Sequence, residues 1–211
     1  MKIFPDFSLE KKLWSENFDV IGIDEVGRGA FAGPVVVGGV VFPSDLSLEN
    51  KKYLLSCGIN DSKKLTAQKR ESLSQIIKQT CWAYYISFVS VNFINKEGIG
   101  NATFLGMRQV AQKLLEKVKN PYLLIDALEI PDAAFAQKGV VKGDTLSISI
   151  ASASIIAKVE RDKFMTKLSS KVPHYGFERN KGYGTKYHRD IIRKIGLSNI
   201  HRVDFCKKTI A

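Results

Sequence analysis

Two adjacent carboxylates, Asp24 and Glu25, close the apolar run Val20–Ile23, and Gly27, Arg28 and Gly29 follow almost at once. Charge at the end of a buried strand demands compensation. A divalent cation suits paired acids, while the Gly-Arg-Gly stretch offers backbone N–H groups and a guanidinium to a phosphate. Successive strand residues point to opposite faces, so both acids can serve one cluster only where the strand is ending, and the glycines at 27 and 29 allow that. The alternative, Asp24 buried and Glu25 simply exposed, leaves Asp24 an uncompensated buried charge.

The pattern occurs again at Asp126, which ends the apolar run Tyr122–Ile125. A single strand-end aspartate is more often a turn or helix cap, but two such ends can meet if their strands are neighbours. Asp144, in Lys142-Gly143-Asp144-Thr145, taken alone reads first as the cap of a following helix. Asp162 lies in a charged helical stretch and reads as solvated.

These acids need elements to position them. Asp19–Asp24 and Val35–Phe42 are β-branched runs separated by a glycine-rich bend, the pattern of neighbouring strands in a mostly buried sheet, and Cys81–Val89 is a third strand. Thr66 caps a helix running to about Gln79, with Leu73, Ile76 and Ile77 on one face. Asn101 is expected to cap a longer helix on which Phe104, Met107, Ala111, Leu114 and Val118 recur at three- and four-residue steps, ending at Asn120-Pro121. Tyr122–Asp126 is a further strand. Ser149 to about Leu168 is helical, and the small, apolar first half of that helix must be buried against something close. Lys171–His188 is polar, aromatic and glycine-rich, which suggests a surface segment before a short amphipathic helix at about Tyr187–Ile195. The class is α/β with a mixed sheet.

Composition bounds the partners. The chain has 211 residues, enough for one full-sized core, and 32 Lys and Arg against 21 Asp and Glu give a net charge of +11. That excess favours a polyanion such as nucleic acid. Phe31–Phe42, the longest apolar stretch, is broken by Gly33, Pro34, Gly38 and Gly39 and falls short of the roughly 18 to 20 residues that span a bilayer. No membrane association is expected. Met1–Trp14 is interrupted by Asp6, Glu10, Lys11 and Lys12, unlike a secretory signal, so a cytoplasmic protein is expected. Cys57, Cys81 and Cys206 are odd in number and widely spaced, which reads as reduced packing residues.

Several separated motifs occur in an order that resembles the type 2 ribonucleases H (ribonuclease HII): Asp24-Glu25-Val26-Gly27-Arg28-Gly29, Ala32-Gly33-Pro34-Val35-Val36, Asn60-Asp61-Ser62-Lys63-Lys64-Leu65 and Ile125-Asp126-Ala127. Lys142-Gly143-Asp144, the run Ala153–Val159 with Arg161-Asp162, and Asn180-Lys181-Gly182-Tyr183-Gly184-Thr185 complete the series. The resemblance covers about 19–205. It implies a ribonuclease H-like fold, a central mixed sheet flanked by helices with a small C-terminal helical region. Its implied organisation is a lead at 1–18, a catalytic domain at 19–205 that includes C-terminal recognition helices, and a tail at 206–211. The type 3 enzymes carry a long N-terminal substrate-binding domain that this chain lacks, which favours type 2.

Position by position, the resemblance assigns metal binding and catalysis to Asp24, Glu25, Asp126 and Asp144. It implies cleavage of the RNA strand of RNA–DNA hybrids and nicking 5′ to single ribonucleotides in duplex DNA, leaving 3′-hydroxyl and 5′-phosphate; a monomer is expected. An all-oxygen donor set without Cys or His suits Mg²⁺ or Mn²⁺, and two such ions about 3.5 to 4 Å apart could activate water and neutralise the leaving oxygen. Gly27, Arg28 and Gly29 would contact the 2′-hydroxyl, and Tyr183 would pack on the next nucleotide. Lys63 would approach the phosphates, although Lys64 beside it could do the same. His174, His188 and His201 read as structural or surface residues. Asp204 stands where the family often has serine, which puts phosphate contacts by the tail in question. A non-catalytic nucleic-acid binder would explain +11 but would not need clustered acids that repel phosphates. A resolvase or integrase-like nuclease would use strand-end acids without the Gly-Arg-Gly and Gly-Tyr-Gly-Thr pair.

Overall fold

The computed structural model describes residues 4–210, so the first three residues of the expected lead and the last of the tail lie outside it. Its frame is a five-stranded sheet in the order β3-β2-β1-β4-β5, formed by β1 (Asp19–Val26), β2 (Val35–Val41), β3 (Ala83–Val89), β4 (Pro121–Asp126) and β5 (Ala136–Val140). β1 pairs antiparallel with β2 and parallel with β4, so the sheet is mixed. β2 is buried along its whole length and β1 nearly so, which is why both read as almost unbroken apolar runs. β3 is an edge strand and keeps Tyr84, Tyr85 and Phe88 exposed.

Helix α5 (Ile148–Lys171) covers one face of β1 and β2, and α4 (Val91–Leu115) covers the other side of β2 and β3. The small first half of α5 lets its backbone come close to the sheet: a Cβ on Gly38 would lie 2.5 Å from the Ala153 carbonyl oxygen. Ala151, Ala153, Ile155 and Ile156 pack with Phe7, Leu54, Leu73 and Ile77, residues that come from the chain ahead of β1, from α2 (Leu48–Ser56) and from α3 (Ala67–Thr80). As expected, Thr66 caps α3, its hydroxyl accepting from the Lys69 N–H at 3.2 Å.

Several expectations give way to the structure. α4 starts at Val91, capped by Ser90 and not Asn101, and is interrupted at Gly98, whose φ of 81° breaks the helical path. Helical periodicity resumes after that break, which is why the sequence pattern pointed to a later start. The cap of α5 is Ser147, three residues beyond Asp144. Lys171–His188 is not merely surface: Tyr175, and Phe177 of α6 (Phe177–Asn180), bury with Met165, Ile192 of α7 (Lys186–Ile195) and Cys206 of α8 (Val203–Ile210) in a second small core. The lead contains α1 (Ser8–Ser15), which packs on β1 and buries Glu10 completely. The three cysteines are free thiols. Among the described residues, no helix is long and apolar enough to cross a membrane.

Candidate active site

Asp24 and Glu25 lie on β1 with Asp126 at the end of the adjacent β4, so parallel pairing of the two strands brings their acids to the same end of the sheet. β1 continues for one residue past Glu25, and Gly27, at φ 86°, turns the chain away. Asp144 sits in a single 3₁₀ turn (Gly143–Thr145), held to β4 because the Gly143 N–H donates to Asp126 Oδ1 at 2.7 Å. This contact explains why Asp144 is not the helix cap: its turn is tied to the strand end instead.

The Asp126 charge acts on each of the other three acids. Burial pushes the Asp24 carboxyl well above the usual carboxylate range, with the Glu25 charge adding to it and the Ser154 hydroxyl opposing. Glu25 rises to about 7, again chiefly by burial, with Arg28 pulling down and Asp126 pushing up. Asp144 is raised by burial and then by Asp126. Asp126 is the common neighbour of the other three. Lys63 feels the same field: burial works against its charge, but Asp61, Asp24, Asp144 and Asp126 outweigh it and raise its pKa. Lys64 stands 3.5 Å from Asp61, and both lysines act on Asp144, favouring its charged form.

A cleft of about 560 Å³ opens beside the acids, lined by Glu25, Gly27, Arg28, Gly29, Lys63 and Tyr183, among others. It brings together every expected substrate-binding residue with one of the acids. Arg28 is exposed and its Nη1 stands 3.5 Å from Glu25 Oε1. Tyr183 carries two cations near its ring, Lys158 Nζ at 5.3 Å and the Arg161 guanidinium at 5.2 Å from the centroid.

Other groups at the site escaped the sequence reading. Ser62 and Ser154, both lining the cleft, share a hydrogen bond of 2.9 Å, and the Ser154 hydroxyl also acts on Asp24. Asp162 is not solvated: it binds Lys158 at 2.8 Å and lies 3.6 Å from Arg70, both cleft residues. The spacing of Ser154, Lys158, Arg161 and Asp162 along one face of α5 was the available signal. Arg161 is wholly buried and donates to the carbonyls of Ala32, Pro34 and Lys181.

The donor chemistry fits a hard divalent cation. All four acids offer oxygen, and Glu25 Oε2 is buried without a hydrogen-bond partner. Among the described residues no three His, Cys, Asp or Glu side chains stand together as a ready metal-binding group, so the acids are neighbours and not a closed cage.

The family model described as Ribonuclease HII matches residues 21–208. A Ribonuclease HII of Caldicellulosiruptor bescii is 42% identical over 206 residues, covering 97% of this chain and 95% of that protein. Among solved structures, the ribonuclease H2 of Pyrococcus horikoshii superposes with a TM-score of 0.70 at 24% identity, covering 92% of this chain and 97% of the other. Bst-RNase HIII in complex with Mn²⁺ gives 0.71 at 20% identity, covering 92% and 69%. At these identities the two structures bear on the fold alone.

Proposed function

The chain belongs to the ribonuclease HII family and is a ribonuclease H, and from that premise we propose that it nicks duplex DNA 5′ to a single embedded ribonucleotide as well as cutting the RNA strand of RNA–DNA hybrids. The observation that carries this reading is the single cleft in which Glu25 faces Gly27, Arg28, Gly29 and Tyr183. One of the four acids and the groups suited to reading a sugar share this space.

Asp24, Glu25, Asp126 and Asp144 would hold two Mg²⁺ or Mn²⁺ ions. When bound, such ions lower the pKa of water and stabilise the leaving oxygen of an in-line displacement. Glu25 reaches its ligand state by losing a proton from a carboxyl that burial raises to about 7, and Arg28 assists because its guanidinium favours the anion. The Ser154 hydroxyl favours the Asp24 anion in the same sense. Exposed Arg28 and the open backbone of Gly29 would meet the ribose, where the 2′-hydroxyl distinguishes RNA from DNA. Tyr183 would pack against the neighbouring sugar or base, its ring held from its own side by Lys158 and Arg161. Lys63 would neutralise a backbone phosphate near the acids.

We assign these roles to residues 19–205 of a cytoplasmic monomer. The assay is a duplex with one ribonucleotide, incubated with Mg²⁺ or Mn²⁺. The expected product is a nick on the 5′ side, with 3′-hydroxyl and 5′-phosphate ends, and Asp126→Asn abolishes it while leaving duplex binding largely intact. Failure to cut under both metals, with a long RNA–DNA hybrid still cut, would restrict the activity to hybrids.

A further inference from the structure

Arg28 and Tyr183 approach the cleft from segments 155 residues apart in the chain, and both are anchored by consecutive residues near the C-terminus. Arg202 Nη1 donates to the Arg28 carbonyl at 2.9 Å, and its Nε donates to the Gly33 carbonyl at 2.9 Å. His201 reaches Tyr183 through a second imidazole. The Ser198 N–H lies 2.9 Å from His201 Nδ1 and must donate to it, which leaves the His201 proton on Nε2. That nitrogen is 3.0 Å from His188 Nε2, which therefore accepts, and the His188 proton on Nδ1 points to the Tyr183 carbonyl at 2.9 Å. The order of donors and acceptors closes with both rings neutral.

We propose that His201 and Arg202 are positioning residues for ribonucleotide selection, setting the spacing between the Arg28–Gly29 peptide and the Tyr183 ring. This rests on the reading of the cleft given above. Geometry carries it. In a trans peptide the carbonyl and the following N–H point in opposite directions, so fixing the Arg28 carbonyl inward turns the Gly29 N–H outward. Gly29 is exposed, and a Cβ built there would meet nothing within 4 Å. The backbone around these anchors is knitted in the same sense: the Arg202 N–H donates to the Phe31 carbonyl at 2.7 Å, and the Phe31 N–H donates to the Gly182 carbonyl at 2.8 Å. The loop that would read the hydroxyl, the turn that carries the tyrosine and the C-terminal segment thus form one hydrogen-bonded unit.

Keeping Arg202 at this position carries an energetic cost. Its side chain is fully buried, no carboxylate pairs with it among the described residues, and Nη2 lacks a partner. The nearby charge of Arg161 adds to the cost of keeping it ionised there. An apolar residue of similar size would remove the Arg202 charge but leave the Arg28 and Gly33 carbonyls without these donors. What the guanidinium supplies is directional: two donors aimed at two carbonyls of the loop.

The test uses the full chain in an Asp126→Asn background, so that substrate is bound and not cut. Affinity is measured by fluorescence anisotropy for two duplexes of one sequence, one with a single ribonucleotide and one all DNA. The parent is expected to prefer the first. Arg202→Met and His201→Leu are each expected to lower that preference about tenfold while all-DNA affinity stays within about twofold. Arg202→Lys keeps a buried cation that can reach one carbonyl; it is expected to give an intermediate preference, and it carries the test if the methionine variant does not fold. An undiminished preference in the lysine variant and in His201→Leu, or an equal fall on both duplexes, overturns the proposal. A parent that does not distinguish the duplexes removes the ribonucleotide reading of the cleft, and the positioning role falls with it.

Discussion

Gly27 and Gly29 stand on either side of Arg28 and tolerate change in opposite ways. Gly27 has φ 86°, and a Cβ there would run into the Arg161 guanidinium, whereas Gly29 faces open space. Gly27→Ala is therefore expected to cost about 1 to 3 kcal/mol and to lower the melting temperature, while Gly29→Ala leaves stability nearly unchanged and narrows the cleft. Thermal melts of the two variants side by side check the contrast. The acids of the site were legible as residues because two apolar runs end in carboxylates, which buried strands rarely do. Asp144 was less so, since a capping role and a site role predict the same residue type; only the Gly143 bond to Asp126 separates them. Arg202 stands two residues before Asp204, and nothing in the sequence indicates that its guanidinium points inward.

At the scale of elements, Glu10 links the lead to the site. Its Oε1 accepts from the Ser147 hydroxyl at 2.5 Å and from the Ser149 N–H at 3.0 Å, so α1 holds the first turn of the helix that follows Asp144. Glu10→Leu leaves both donors unpaired in a buried position, and a loss of about 1 to 3 kcal/mol is expected by denaturant unfolding. The central strands and α3, α4 and α5 announce themselves through β-branched runs and helical periodicity. β5 does not, because Ala136–Val140 has alternate residues exposed and only one aliphatic side chain larger than alanine. α2 and α8 are short, and their stability comes from packing that a local pattern does not encode. The histidine pair gives the C-terminal elements a pH dependence. Burial, then the His188 ring, pushes His201 from 6.5 down to about 4, and burial also lowers His188. The unfolded chain thus binds these protons more tightly, so this contribution is fully present above about pH 6.5 and is lost as pH falls toward about 4. Glu25 acts with the opposite sign, losing stability as pH rises from 4.5 toward about 7. Comparing melts of the wild type and His201→Leu across this range isolates the imidazole part: the variant should show the shallower loss on acidification.

For the whole molecule, clustered acids inside a chain of net charge +11 make divalent cations and salt the two controlling variables. Metal that binds only the folded state stabilises it by about 2.7 kcal/mol at a hundredfold excess over its dissociation constant. Added Mg²⁺ or Mn²⁺ should therefore raise the melting temperature of the wild type more than that of Asp126→Asn. Duplex affinity should fall steeply as salt rises, linearly on a log–log scale, as counterions are released from the phosphates. The parallel pairing of β1 with β4 has one more consequence, in time. It joins Asp19 to Pro121 across roughly a hundred residues, whereas β1, β2 and β3 pair consecutively along the chain. Closing so long a loop is slow compared with forming the antiparallel ribbon. During refolding, strand signal should thus recover before nuclease activity, because a chain that has built only the ribbon has Asp24 and Glu25 in place but still lacks Asp126.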